Sequence, residues 1–173
     1  MATKQALINN SYSDEWYTPA YVVRTMLKVF PPNAGDRILL PFDTSESNFT
    51  KIITTEYDKQ AIWGIKDFLT RDYEFDYLIS NPPYSIKDKI IERCIELGKP
   101  SVLLLPIDTL GGVQRHKLFH RTRIGVYIPT KRIKFINENG DNSKSPAYHN
   151  IVMLINANKN SIYFEYEYKE TES

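Results

Sequence analysis

Two short apolar runs constrain this chain more than anything else in it. Asp76-Tyr77-Leu78-Ile79-Ser80 and Ser101 to Leu105 lack polar alternation, which is how strands buried on both faces read. The segment between them, Lys87 to Leu97, has helical spacing, with Gly98 at its C-terminal end and Pro100 just beyond. Strand, helix and strand in that order predict parallel pairing through a crossover helix. The chain before them follows a similar plan. Pro19 suits a first helical position with Thr18 as N-cap, and Val22, Val23, Met26, Leu27 and Phe30 follow at helical spacing until Pro31-Pro32. Asn33 to Asp36 reads as a turn and Ile38-Leu39-Leu40 as a short buried strand. Lys51 to Thr55, β-branched in its centre, reads as a second strand, and Ala61 to Gly64 as a third. Asp108 to Arg123 is polar and part helical. Gly125 to Ile128, Ile151 to Ile155 and Ser161 to Tyr168 close the chain as strands, the last alternating Tyr or Phe with Glu. One α/β domain over residues 1–173 is expected, with a loose start over 1–13. Its sheet is mostly parallel, with an antiparallel edge from the C-terminal strands and helices on both faces.

Composition narrows the partners. The net charge is +1, from 22 Lys and Arg against 21 Asp and Glu, so a polybasic tail does not drive binding and a basic surface requires local segregation of charge. Such segregation exists. From Gly111 to Lys134 the chain carries Arg115, Lys117, Arg121, Arg123, Lys131, Arg132 and Lys134 and no acid, which marks a candidate DNA contact centred on 108–124; a solvated face balanced by acids elsewhere in space is the alternative. The single cysteine, Cys94, excludes a disulfide within the chain and lies among Ile90, Ile91 and Ile95 as a buried thiol would. The three histidines show no metal spacing, so no metal is expected. No apolar run approaches membrane length, and Met-Ala-Thr-Lys-Gln lacks a signal peptide's apolar core, so the expected compartment is a reducing cytoplasm.

The chemistry gathers where the run 76–80 ends, in Asn81-Pro82-Pro83-Tyr84. A polar amide is presented at a strand tip, two prolines stiffen the backbone and remove two donors, and an aromatic ring follows. The Asn81 side-chain oxygen and the Pro82 carbonyl suit the two hydrogens of an exocyclic amine. Two acceptors so placed pull that nitrogen from planarity and free its lone pair. Tyr84 offers a face for a flat base, which must leave its duplex to reach the site. A strand-to-loop turn with an Asn cap is the plain alternative.

Together with four further segments, that motif resembles the DNA adenine-N6 methyltransferases of phages and prophages, related to the Dam enzymes. Asp14-Glu15-Trp16-Tyr17-Thr18-Pro19 is similar to the family's N-terminal motif, and Asp67-Phe68 to the segment on the cofactor's adenine ring. Asn81 to Tyr84 matches the catalytic motif at every position. Pro129 to Phe135 and Ser145 to Tyr148 resemble the C-terminal strand region. The resemblance implies a Rossmann-like class I methyltransferase sheet, S-adenosylmethionine as cofactor, DNA as partner and a bacterial host cytoplasm. It implies that Asn81, Pro82, Pro83 and Tyr84 hold the target adenine. Trp16, Tyr17, Thr18, Pro19, Pro41, Phe42, Asp43, Glu56, Asp67 and Phe68 would line the cofactor pocket. Glu56 and Asp58, near the end of the expected second strand, would suit the ribose hydroxyls; a solvated acidic turn is the plain alternative. No metal or covalent intermediate is needed, because a sulfonium is already an activated donor.

The departure lies at the first strand's end. The family pattern Asp-Pro-Phe-x-Gly-x-Gly is here Leu40-Pro41-Phe42-Asp43-Thr44-Ser45-Glu46, with the glycines that admit a cofactor replaced. Three readings follow for this loop. Thr44 and Glu46 fill the space of the methionine moiety; or Glu46 pairs with the ligand's ammonium while Asp43 covers for the lost acid; or the loop is an ordinary turn capped by Ser45 or Thr44. Two functions remain: adenine-N6 methylation of DNA, or a protein of the same fold without the cofactor that binds nucleic acid, a nucleotide or a host protein. The sequence leaves the oligomeric state open.

Overall fold

The computed structural model describes residues 17–137, 139, 141–142 and 148–165. It places seven strands in one sheet: β1 (Ile38–Leu39), β2 (Ala61–Ile62), β3 (Tyr77–Ser80), β4 (Ser101–Pro106), β5 (Ile124–Ile128), β6 (Asn150–Ile155) and β7 (Ser161–Phe164), in the order β2-β1-β3-β4-β6-β5-β7. Neighbouring strands pair in parallel except at β6, which is antiparallel to both β4 and β5. The fold class expected from the sequence is the one observed. The reversed strand, however, lies between β4 and β5, where the sequence suggests an antiparallel edge.

Helices α1 (Ala20–Val29) and α2 (Asn48–Thr55) cover one face; α3 (Lys87–Leu97) and α4 (Val113–Phe119) cover the other. Alternation along the strands divides the core accordingly. Ile38, Leu40, Ile79, Leu104 and Val152 face α1 and α2, while Leu39, Leu78, Leu103, Leu105 and Met153 face the opposite side. The central strand β4 is buried at all six positions, so it has no polar alternation to show. Gly98 takes the left-handed conformation that ends α3 (φ 67°) and accommodates the return into β4 without strain on a Cβ.

Lys51 to Thr55 is helical, which corrects the second-strand expectation. Its β-branched residues favour a strand locally, but Phe49, Ile52 and Ile53 share one helical face and are buried against α1 and the sheet. The Ser47 hydroxyl caps the helix by accepting from the Thr50 amide (3.1 Å), and the Thr54 and Thr55 hydroxyls donate to carbonyls one turn back (2.7 and 2.6 Å). Ala61–Ile62 is therefore the second strand and Tyr77–Ser80 the third. Residues 1–13, expected to be loose, and 166–168, the rest of the expected last strand, lie outside the described residues.

Candidate functional site at the strand tips

From β1 the chain passes through α2 to β2 on one side and then crosses to β3 on the other. The order thus reverses between β1 and β3, and the crevice beyond their carboxyl ends is where open sheets of this kind bind ligands. Leu40 to Phe42 leave β1 there, and Asn81 to Tyr84 leave β3.

Asn81, Pro82 and Pro83 are buried and Tyr84 is half-buried. The Asn81 side chain donates through Nδ2 to the Thr18 hydroxyl (3.0 Å). Among the described residues nothing donates to its Oδ1. The amide is therefore held by its nitrogen and presents its oxygen. Thr18 is itself fixed: its carbonyl accepts from Asn48 Nδ2 (2.9 Å), and Tyr17 beside it bridges to Ile136 through two backbone bonds (2.6 and 3.1 Å). The expectation that Thr18 caps α1 is thus corrected. Pro19 occupies the N-cap position without a side-chain bond, and the threonine hydroxyl is spent on Asn81.

Tyr84 begins a 3₁₀ turn (Tyr84–Ile86) that leads into α3. Its hydroxyl accepts from Asn150 Nδ2 (2.7 Å), a residue only 1% exposed at the start of β6. Burial pushes the Tyr84 phenol well above its ordinary value, so it stays neutral. The ring of Tyr148 stands edge-on to it (centroids 6.1 Å, 79°), itself half exposed. Asn150 is not among the residues expected from the sequence. Its signal is a polar residue opening an apolar strand, which the antiparallel register of β6 on β4 sets beside Pro106, at the edge where β3 ends.

At the end of β1, Leu40 and Pro41 are buried, and the Phe42 ring meets Phe68 edge-to-face (5.6 Å, 77°). Asp43 ties the tips of β1 and β2 through its carbonyl, which accepts from the Gly64 amide (3.1 Å). Glu46 is 77% exposed and pairs with Lys51 (3.1 Å), so its carboxylate neither fills the crevice nor reaches across it. Ser47 supplies the cap expected from Ser45 or Thr44, and the Thr44 carbonyl accepts from the Thr50 hydroxyl (2.7 Å). Asp67 holds the Tyr73 hydroxyl and lies 3.9 Å from Arg71, which keeps it beside Phe68.

Glu56 ends α2, not a strand, and its carboxylate is clasped by Arg24 of α1 (2.6 and 2.8 Å). That removes it from the cofactor set. The residue at the tip of β2 is Trp63, 42% exposed. Trp16 and residues 145–147 lie outside the described residues.

The seven cations do not form one patch. Because β5 runs parallel to β4, Arg121 and Arg123 precede its amino end, at the edge opposite Asn81. Arg121 lies 3.4 Å from Glu92, and Arg123 donates to the Asn158 carbonyl (2.9 Å). Arg115 clamps Asp88 (2.9 Å) and two loop carbonyls. Lys117, on α4, is exposed. Lys131, Arg132 and Lys134 follow the carboxyl end of β5 and stand on the Asn81 edge. Among the described residues no group of His, Cys, Asp and Glu is placed to hold a metal, and no helix is long and apolar enough to cross a membrane.

No family model and no curated protein matches the chain. Solved structures do. The dimethyladenosine transferase of Plasmodium falciparum superposes with a TM-score of 0.50 at 12% identity, over 82% of this chain and 62% of that one. The 23S rRNA methyltransferase ErmE superposes at 0.53 and 9% identity, over 84% of this chain and 71% of that one. The chain thus spans under two thirds of the Plasmodium enzyme. What the likeness shows is the fold, a Rossmann-like class I methyltransferase sheet.

Proposed function

We propose that this protein transfers a methyl group from S-adenosylmethionine to N6 of adenine in DNA. The observation that carries this reading is the Asn81–Thr18 bond. It turns an amide oxygen outward at the tip of a buried strand, beside a proline carbonyl and an aromatic ring. An amine with two hydrogens satisfies both oxygens, and Tyr84 covers the face of the ring that bears it. The neutral Tyr84 phenol, held by Asn150, keeps charge away from a nitrogen that must act as nucleophile. Extruding the base costs a few kcal/mol, and stacking returns ~1–3 kcal/mol of it.

The crevice suits the cofactor. Glu46 leaves it clear, Phe42, backed by the buried Phe68, gives it an apolar wall, and Asp67 sets a carboxylate beside that wall. Bound there, S-adenosylmethionine supplies an electrophilic methyl group. Tyr17, Thr18 and Pro19 close the crevice from the α1 side, so one segment borders the cofactor and orients Asn81. Pro41 and Asp43 shape the floor. Lys131, Arg132 and Lys134 offer charge for the phosphates on the same edge.

Incubation with methyl-labelled S-adenosylmethionine and unmethylated DNA, followed by nucleoside analysis, tests the assignment. Label should appear as N6-methyladenine. Label confined to RNA would move the substrate, and no heat of S-adenosylmethionine binding at ~1 mM would favour a methyltransferase-like binding protein instead.

A further inference from the structure

A cavity of about 390 Å³ opens at the same edge of the sheet, on the α1 side, and among the described residues none assigned to the adenine or to the cofactor's rings lines it. Its walls include Tyr21 and Val22 of α1, Tyr127 of β5, Val152 of β6, Lys131 and Glu165. Tyr21 is 59% exposed. Lys131 is exposed and has no partner among the described residues. The Glu165 carboxylate accepts from the Thr130 amide (2.7 Å), which fixes one wall.

The position relates the cavity to the adenine site. Val152 is two residues along β6 from Asn150, on the same face, and so about 7 Å away at the rise of a strand. Asn150 in turn holds Tyr84. On the other side, Tyr21 is three residues from Thr18, which holds Asn81. The segments that carry two residues orienting the adenine site thus also supply walls of a second chamber, through Tyr21 and Val152. A volume of this order accommodates a small ligand. An exposed phenol ring, an unpaired ammonium and a carboxylate are the chemistry that receives a base, its phosphate and its donor edge.

We infer that this cavity receives the nucleotide next to the target adenine, and that it gives the protein a preference at one flanking position. The inference rests on the adenine-N6 reading above.

The test uses fluorescence anisotropy with single-stranded DNA that is intact, abasic at the target adenine, or abasic at either neighbour. For the unaltered protein, an abasic site on one flank should weaken binding about tenfold, the loss of one stacked base. Tyr21→Ala, at an exposed position, should erase that flank penalty and keep the penalty at the target. Equal binding of both flank-abasic strands and the intact strand, or a flank penalty that survives in Tyr21→Ala, overturns the inference. The target-abasic arm reads the adenine site separately, so loss of that penalty alone counts against the proposed function and not against the cavity.

Discussion

The hydroxyl of Thr18 does two things that a nearby methyl group cannot. It accepts the Asn81 amide proton, and in doing so decides which end of that amide faces the crevice. Thr18→Val keeps the shape and loses the acceptor, so kcat should fall roughly tenfold, the scale of one hydrogen bond, with KM for DNA little changed. Thr18→Ser should restore it; a Ser variant as slow as the Val variant would show that Thr18 acts only through packing. The proposed adenine site, Asn81 to Tyr84, is legible in the sequence because its residues are consecutive. Thr18 was readable as a helix cap, which it is not, since its partner lies 63 positions away. Asn150 was not readable at all. Its role depends on the register of β6 against β4, which no local pattern records.

Among the elements, α2 shows how local preference loses to tertiary contacts. Lys51-Ile52-Ile53-Thr54-Thr55 is a strand by propensity and a helix in the fold. The cap at Ser47 and the buried face of Phe49, Ile52 and Ile53 decide the matter. Ser47→Ala should lower stability by about 1 kcal/mol, read from the urea midpoint, because it removes the cap of a helix only eight residues long. An unchanged midpoint would mean that burial alone holds α2. The basic segment divides along the same lines. Reversing Arg121 and Arg123 to Glu should leave the salt dependence of DNA binding unaltered, since both lie at the edge away from Asn81. Lys131→Ala with Lys134→Ala should flatten the slope of log K against log salt by about 0.7–0.9 for each phosphate that is no longer neutralised. The run of cations was visible in the sequence, while its division between two edges follows from the direction of β5.

The whole molecule is held at its other edge by Arg37 and Asp76, which open β1 and β3. Asp76 accepts from the Arg37 backbone amide and guanidinium (both 2.9 Å), and this holds its carboxyl at about 2, below the ordinary 3.8. A folded-state pKa below the unfolded one stabilises the protein above the unfolded value and loses that contribution as pH falls through the folded value. Between 3.8 and about 2, therefore, the unaltered protein should lose more stability than Asp76→Asn; parallel loss in both would remove the clamp from the account. The α/β class was legible from buried strands alternating with helices. The one reversed strand was legible as an antiparallel C-terminal element, though not its place inside the sheet, because pairing order is set by packing across the whole core.

Whether Asn81 holds the target adenine is decided by transfer of labelled methyl groups to adenine-containing DNA by the unaltered protein and by Asn81→Ala, with the melting temperature of each recorded alongside. N6-methyladenine is expected from the unaltered protein and none from the variant, with melting temperatures within a few degrees of each other. Equal transfer by Asn81→Ala would contradict it.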